Sequence, residues 1–150
     1  MSLAVAALVA GEPAADVLTA TARTLESYQP GLGQWLEQVL AQPLEALDLD
    51  EGLNPGEEDR IGYTLKALGA GMWSLAHAGS FAEGIDWIVH EGGDADTNAA
   101  VAGALLGARH GFSAIPAAWV NGLACERELR VRADRLLRIL AVGEPKTPPA

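Results

Sequence analysis

The strongest candidate for chemistry in this chain is a short acidic turn between two stretches of helical pattern. It reads Gly92-Gly93-Asp94-Ala95-Asp96-Thr97-Asn98, and a run of small residues follows directly. Asp94 and Asp96 supply carboxylate oxygens one residue apart, and Thr97 adds a neutral oxygen. Because Mg²⁺ and Mn²⁺ prefer oxygen ligands, these three residues are candidate metal ligands. The structural alternative is that Asp96 or Thr97 is an ordinary helix N-cap.

The segments on both sides of this turn predict an all-α protein. Apolar residues make up 49% of the 150 residues, and much of that share is Ala and Leu, which favour helices. Hydrophobic spacing and Gly or Pro punctuation predict helices over residues 3–10, 14–28, 32–41, 62–77, 81–91, 95–110, 115–123 and 126–141.

Some of these helices carry more specific signals. Ser80 and Glu83 have the spacing of a capping box. Gly62, Gly69 and Gly71 fall in one predicted helix, where each costs about 1 kcal/mol relative to Ala, so close helix packing is expected there. Three glycines spaced four residues apart form one stripe, and we expect another backbone to approach it: Gly103, Gly107 and Gly111.

The remaining large side chains are read as core. In the last helix the apolar residues Leu129, Ala133, Leu136, Leu137 and Leu140 are predicted to point inward, with arginines outward. Trp73, Trp87 and Trp119 are read as core rather than as platforms for a base. His77, His90 and His110 each fall near a predicted helix end, where a satisfied or exposed histidine is common.

Residues 42–61 interrupt the helical pattern. This run is rich in Asp, Glu, Gly and Pro, with one helical turn predicted at Leu44–Leu47. It is read as a surface loop, which either borders a substrate site or is simply a solvated acidic segment.

Charge and cysteine content narrow the class of protein. The net charge is −10, so a phosphate backbone is repelled and nucleic acid is not an expected partner. The single cysteine, Cys125, excludes an intramolecular disulfide and fits a reducing compartment. The apolar start of the chain is too short to span a bilayer, so a soluble, cytoplasmic protein without a membrane partner is expected.

The acidic turn and the helix after it resemble a known signature. The run from Gly92 through Asp94, Asp96 and Thr97 to Ala108 is similar to the C-terminal motif of the ADP-ribosylglycohydrolase family. The similarity is clearest over residues 60–124 and extends to the whole chain. It implies the C-terminal part of an all-α, multi-helix orthogonal bundle over residues 1–142, with residues 143–150 as a flexible tail.

The resemblance also implies an activity. Members of the family cut the glycosidic bond that joins ADP-ribose to a protein side chain, often arginine, or cut related ADP-ribose derivatives. They use two Mg²⁺ or Mn²⁺ ions. By resemblance, Asp94 and Asp96 are catalytic, Asp94, Asp96 and Thr97 are metal ligands, and Gly92 and Gly93 let the backbone approach the substrate. The expected partner is an ADP-ribosylated protein or an ADP-ribose derivative.

One part of the family pattern is missing. The other metal ligands of the family come from a Thr-Asp-Asp-Thr type motif near the N-terminus, and this sequence has none. The densest other acidic run, Glu57-Glu58-Asp59-Arg60, is not that motif. The chain is therefore expected to hold half of a metal site and to pair with an N-terminal-half chain or with copies of itself. The alternative is a non-catalytic helical module or degenerate fragment that pairs with another chain and at most binds ADP-ribose.

Overall fold

The structure, a computed structural model, describes residues 1–51 and 62–140. It divides the chain into two compact units, Met1–Ile115 and Pro116–Ala150. Over the described residues the chain is all-α, with helices and no strand, as the sequence predicts. The predicted single domain over residues 1–142 stays a prediction.

In its described residues, 1–51 and 62–115, the first unit contains six α-helices and two 3-10 turns. The helices are α1 (Ser2–Val9), α2 (Ala14–Tyr28), α3 (Leu32–Ala41), α4 (Thr64–His77), α5 (Phe81–His90) and α6 (Ala95–His110), with 3-10 turns at Leu44–Leu47 and Phe112–Ala114. The predicted bounds agree closely because Pro and Gly mark most of the ends. The capping box is confirmed: the Glu83 backbone N–H donates to Ser80 Oγ at 3.2 Å, and the Glu83 carboxylate accepts from the Gly79 N–H at 2.7 Å.

Helix α4 lies at the centre of this unit. It packs against α3, α5 and α6, and Met72 and Leu75 on it are fully buried. Gly71 permits the close contact with α6, since a Cβ there would lie 2.8 Å from Val101 Cγ1 and 3.4 Å from the Ala102 backbone nitrogen. The expectation of close packing is confirmed at Gly69 and Gly71, because a Cβ at Gly69 would lie 2.8 Å from Leu47 Cδ2. It is wrong at Gly62, which precedes α4 and where a Cβ would meet nothing closer than Asp94 Oδ2 at 3.9 Å.

The glycine stripe on α6 is not a backbone contact, so that prediction is wrong. A Cβ at Gly103 would meet the Ile85 side chain at 3.6 Å, and one at Gly107 would meet the Phe81 ring at 3.8 Å. Gly111 has nothing within 4 Å and ends α6 with φ at +79°. Large side chains of α5 fill the space beside the stripe, so the close approach to α6 comes from α4 instead.

The second unit contains α7 (Ala117–Asn121) and α8 (Glu126–Leu140). The apolar residues of α8 were predicted to point inward, but Leu129, Leu136 and Leu137 are 49%, 57% and 61% exposed. Ala133 is exposed too, and Trp119 on α7 is 43% exposed, so its assignment to the core is also wrong. The physical reason is size, because a five-residue α7 cannot cover the apolar side of a four-turn helix.

In the part of the chain that the structure describes, no helix has both the length and the apolar character needed to span a membrane. The predicted tail at 143–150 lies outside the described residues.

Candidate metal and substrate site

The acidic turn joins α5 to α6, and two left-handed glycines shape it. Gly92 and Gly93 have φ values of +77° and +65°. The space around them differs: Gly92 has nothing within 4 Å of an added Cβ, whereas a Cβ on Gly93 would lie 2.6 Å from the Leu49 carbonyl carbon. Gly93 is therefore required for contact with the preceding acidic segment, and Gly92 is the glycine with open space beside it.

That acidic segment is anchored rather than simply solvated. Leu44 and Leu49 are buried in the core. The Lys66 side chain, on the first turn of α4, donates to the Asp48 carbonyl oxygen and forms an ion pair with Glu51 Oε2 at 2.8 Å. The 3-10 turn at Leu44–Leu47 is confirmed. Residues 44–51 thus form a fixed wall against the Gly92-Gly93 turn.

The candidate ligands lie in the turn and the first turn of α6. Asp94 occupies the N-cap position, and its side chain makes no capping hydrogen bond, so an N-cap at Asp96 or Thr97 is not what the structure shows. The side chain of Asp94 interacts directly with the carboxyl group of Asp96. This contact, followed by hydrogen bonds from the Thr97 and Asp96 backbone N–H groups, holds the pKa of Asp96 below its usual value.

A cleft of about 410 Å³ opens beside these residues, in the size range of ligand pockets. The start of α4 lines one side of it and the start of α6 the other, so these two helices run parallel with their N-termini at the same end. The lining residues are Met1, Gly62, Tyr63, Thr64, Ala67, Leu68, Asp94, Thr97, Asn98 and Val101. Asp96 is exposed and lies beside Asp94 rather than on the described lining.

The positive ends of two helix dipoles meet in this cleft. Each N-terminus favours anions nearby, whether carboxylates or a bound phosphate. The carboxyl side chain of Asp94 reaches across to α4, with Oδ2 3.9 Å from the position of a Cβ on Gly62. The site therefore combines two acidic groups with two helix N-termini.

The donor set suits a hard divalent cation but is short of a complete site. Two carboxylates in contact and a nearby hydroxyl are oxygen donors of the kind that Mg²⁺ and Mn²⁺ bind, whereas octahedral coordination needs six. Within residues 1–51 and 62–140, no group of three His, Cys, Asp or Glu side chains is placed to hold a metal ion. The run Glu57-Glu58-Asp59-Arg60 lies outside the described residues.

A second acidic group lies on the wall side of the turn. Burial, followed by the nearby charges of Glu45 and Asp50, raises the pKa of Glu91 above its ordinary value. Crowded carboxylates on this wall strengthen the negative potential next to the candidate ligands.

The other candidates do not reach the cleft. His77, His90 and His110 end α4, α5 and α6, as predicted, and none lines the cleft in the described structure. Trp73 is half-buried and its indole N–H donates to the Gln42 carbonyl at 2.9 Å. Its ring meets Trp87 edge to face at 5.7 Å, which supports a packing role for both.

Two residues of the site have no role assigned to them by the sequence analysis. Asn98 lines the cleft one helical turn after Asp94, and its i+4 spacing from that aspartate was the available signal. Lys66 fixes the acidic wall, and its signal was a single lysine in the first turn of an apolar, glycine-rich helix.

Comparison with known proteins identifies relatives of this chain. It is 33% identical to the ADP-ribosylarginine hydrolase Tri1 of Serratia proteamaculans over 102 aligned residues. The aligned region makes up 65% of this chain and 28% of that protein. It is also 47% identical to the ADP-ribosyl-[dinitrogen reductase] glycohydrolase of Rhodospirillum rubrum over 53 aligned residues. That region makes up 34% of this chain and 18% of that protein. The chain thus spans less than a third of these relatives. No solved structure matches it significantly.

The family model for ADP-ribosylglycohydrolases matches residues 1–146, nearly the whole chain. The chain belongs to the ADP-ribosylglycohydrolase family.

Proposed function

We propose that this chain contributes to hydrolysis of the glycosidic bond between ADP-ribose and a protein side chain of the arginine type, or a related ADP-ribose derivative. Family membership and the activities for which two relatives are named support this reaction class. The observation that carries the proposal is the cleft at the two helix N-termini, where Asp94 and Thr97 line the wall and Asp96 contacts Asp94.

The proposed cofactor is Mg²⁺ or Mn²⁺, two ions in the complete site, with Asp94, Asp96 and Thr97 as the ligands from this chain. Bound there, such an ion supplies Lewis-acid chemistry toward ribose hydroxyls and water. The depressed pKa keeps the Asp96 carboxylate ionised at neutral pH, which suits a ligand better than a proton carrier. Asp94 and Asp96 would thus be catalytic by holding and orienting the reacting groups.

The chain's own backbone shapes the approach to these groups. Open space beside Gly92 leaves room for a substrate to lie against the turn. Gly93 holds the turn on Leu49 and so fixes the direction in which Asp94 points. The two helix N-termini favour the negative charge of an ADP-ribose diphosphate close to the cleft.

We also propose that another polypeptide segment completes the site. The described donors number fewer than octahedral coordination needs, and the matched relatives are more than three times as long as the matched segment. An N-terminal-half chain of the same family, or a second copy of this chain, would provide the missing ligands. Exposed apolar residues on α8 (Leu129, Leu136 and Leu137) offer a surface for such pairing.

A cytoplasmic location is proposed for the same molecule. It is supported by the single, exposed and unpaired Cys125.

The test measures ADP-ribose released from ADP-ribosyl-arginine in the presence of Mn²⁺ or Mg²⁺. The chain is assayed alone and with an N-terminal-half protein of the family that carries the Thr-Asp-Asp-Thr motif. We expect release in the mixture and about a hundredfold less with Asp94→Asn or Asp96→Asn. Asp86→Asn, an exposed acid on α5, is the matched control and should retain full release.

A second readout measures Mn²⁺ binding directly by calorimetry. Weak binding to the chain alone, lost in Asp94→Asn and kept in Asp86→Asn, supports the half-site. Absence of both Mn²⁺ binding and ADP-ribose release in every combination would leave the non-catalytic module as the function.

A further inference from the structure

Asn98 is an unusual buried residue in this molecule. It is 1% exposed, and its side-chain nitrogen has no hydrogen-bond partner in the described structure. A buried donor without a partner loses its hydrogen bonds to water and gains none in return. Most buried polar groups are satisfied, so this one calls for a physical explanation.

The other buried polar residues of the first unit behave differently. Ser74 is fully buried and donates its hydroxyl to the Gly84 carbonyl at 3.2 Å. Lys66 is 8% exposed and is held by the Asp48 carbonyl and the Glu51 carboxylate. Among these three buried residues, Asn98 alone has a polar atom without a hydrogen-bond partner in the described structure. The half-buried His110, at the end of α6 and not on the cleft lining, has another such atom, Nε2.

Its position suggests what the missing partner is. Asn98 lines the cleft together with Asp94 and Thr97, on the first two turns of α6. The cleft has room for a sugar-sized group. The unpartnered atom is the amide nitrogen, a hydrogen-bond donor, and a hydroxyl oxygen of a sugar can accept from it.

We propose that Asn98 is a substrate-binding residue that hydrogen-bonds the ribose bearing the scissile bond, and that this ribose supplies the partner its amide lacks in the folded chain. The inference rests on the proposed function, since it takes ADP-ribose as the ligand of this cleft. It extends the site beyond the three candidate metal ligands to a side chain that selects for the sugar.

The test uses Asn98→Leu, which keeps the branching and the number of non-hydrogen atoms and has no polar atoms. We expect the melting temperature of the free chain to rise by about 2–5 °C because an unsatisfied buried group is removed. Affinity for ADP-ribose, measured by calorimetry in Mn²⁺, should fall about tenfold. Affinity for ADP, which lacks that ribose, should stay unchanged.

Two further variants keep the test decisive. Asn98→Ala should show the same loss of affinity without requiring leucine to fit. Ser74→Ala is the matched control: it removes a satisfied buried group, so the melting temperature should fall while affinity for ADP-ribose is unchanged.

The outcomes separate this inference from the proposed function. If the unmodified chain binds ADP-ribose and Asn98→Leu binds it equally well, the role of Asn98 is overturned and the proposed function stands. If Asn98→Leu fails to fold or melts at a lower temperature, Asn98→Ala decides: affinity for ADP-ribose that stays unchanged in that variant overturns the role of Asn98. Failure of the unmodified chain to bind ADP-ribose overturns both.

Discussion

Helices α4 and α6 lie side by side and parallel, and the two ends of this pair differ in how completely they are filled. At the N-terminal end the helices are separated by the cleft that contains Asp94 and the unpartnered amide of Asn98. Farther along, Gly71 lets α6 approach so closely that its side chains fill the space.

At the C-terminal end of the pair, a charged side chain of α6 bonds to the end of α4, in addition to the packing between the helices. The Arg109 guanidinium, in the last turn of α6, donates to the carbonyl oxygens of Leu75 and Ala78 at 2.7 and 3.3 Å. A cation at this end satisfies carbonyls that the end of α4 leaves free and complements the negative ends of both dipoles.

The difference shows how one helix pair divides stability and function. Tight packing and satisfied groups in the middle and at the C-terminal end hold the helices in register. That rigidity allows the N-terminal end to keep an open cleft, two carboxyl groups in contact and an unsatisfied amide. Substitutions at the two ends should therefore have different consequences.

The largest effect on stability is expected at the Gly92-Gly93 turn, directly before Asp94. Gly93→Ala forces a side chain into the left-handed region and against the Leu49 carbonyl, and should lower the free energy of unfolding by about 3 kcal/mol. Gly92→Ala has the same backbone constraint with open space, so about 1 kcal/mol is expected. Urea denaturation measures both, and equal losses would contradict the role of Leu49.

The next largest effect on stability is expected in the middle of the α4–α6 pair, where the two helices pack most closely. Gly71→Ala would place a Cβ 2.8 Å from Val101 Cγ1 and should cost about 2 kcal/mol through overpacking. Gly103→Ala meets only Ile85, at an ordinary 3.6 Å, and should stabilise the chain by up to about 1 kcal/mol through helix propensity. Thermal denaturation measures the melting temperature of both variants. A shift of both melting temperatures in the same direction would contradict the close packing at Gly71.

Removing the Arg109 hydrogen bonds at the C-terminal end of the α4–α6 pair should have a smaller effect on stability. Arg109→Met keeps most of the apolar stem but leaves the Leu75 and Ala78 carbonyls without this donor, so a loss of about 1 kcal/mol is expected. Arg23→Met, at an exposed position on α2, serves as the control and should change stability little. ADP-ribose binding should be unaffected in both variants, and a loss in Arg109→Met would indicate that the two ends are coupled.

The smallest effect concerns the acidic wall. The pKa of Glu91 is raised above 4.5, so the folded chain binds this proton more tightly than the unfolded chain does. Stability from this group is therefore lost as pH rises from about 4.5 through the folded pKa. Glu91→Gln should raise the melting temperature at pH 7 by about 1–2 °C and have no effect below the unfolded pKa. A constant difference across pH would exclude a titration effect.

Much of this molecule was predictable from local sequence. The helix bounds follow from hydrophobic spacing and from breakers such as Pro13, Gly31 and Gly111. The turn from Gly92 to Thr97 was identified because its residue types are dense in oxygen donors and its glycines are adjacent. These signals are local, since backbone preference and face periodicity depend on neighbours within a few residues.

Errors arose where a prediction depended on partners distant in sequence. The α6 glycines look like a backbone contact by spacing, but Ile85 and Phe81 from α5 occupy that side. The α8 stripe looks like a core face, but its leucines are exposed because the second unit offers too little to cover them. Amphipathic spacing shows which face is apolar and does not show what covers it.

The sequence by itself determined the all-α architecture, the acidic turn and the family. Tertiary structure decided that the Leu49 carbonyl makes Gly93 irreplaceable, that α4 and α6 place their N-termini at one cleft, and that Asn98 is buried there without a partner. Each of these depends on distances between segments that lie tens of residues apart. Such distances are set by how side chains fill a shared core, which no local pattern encodes.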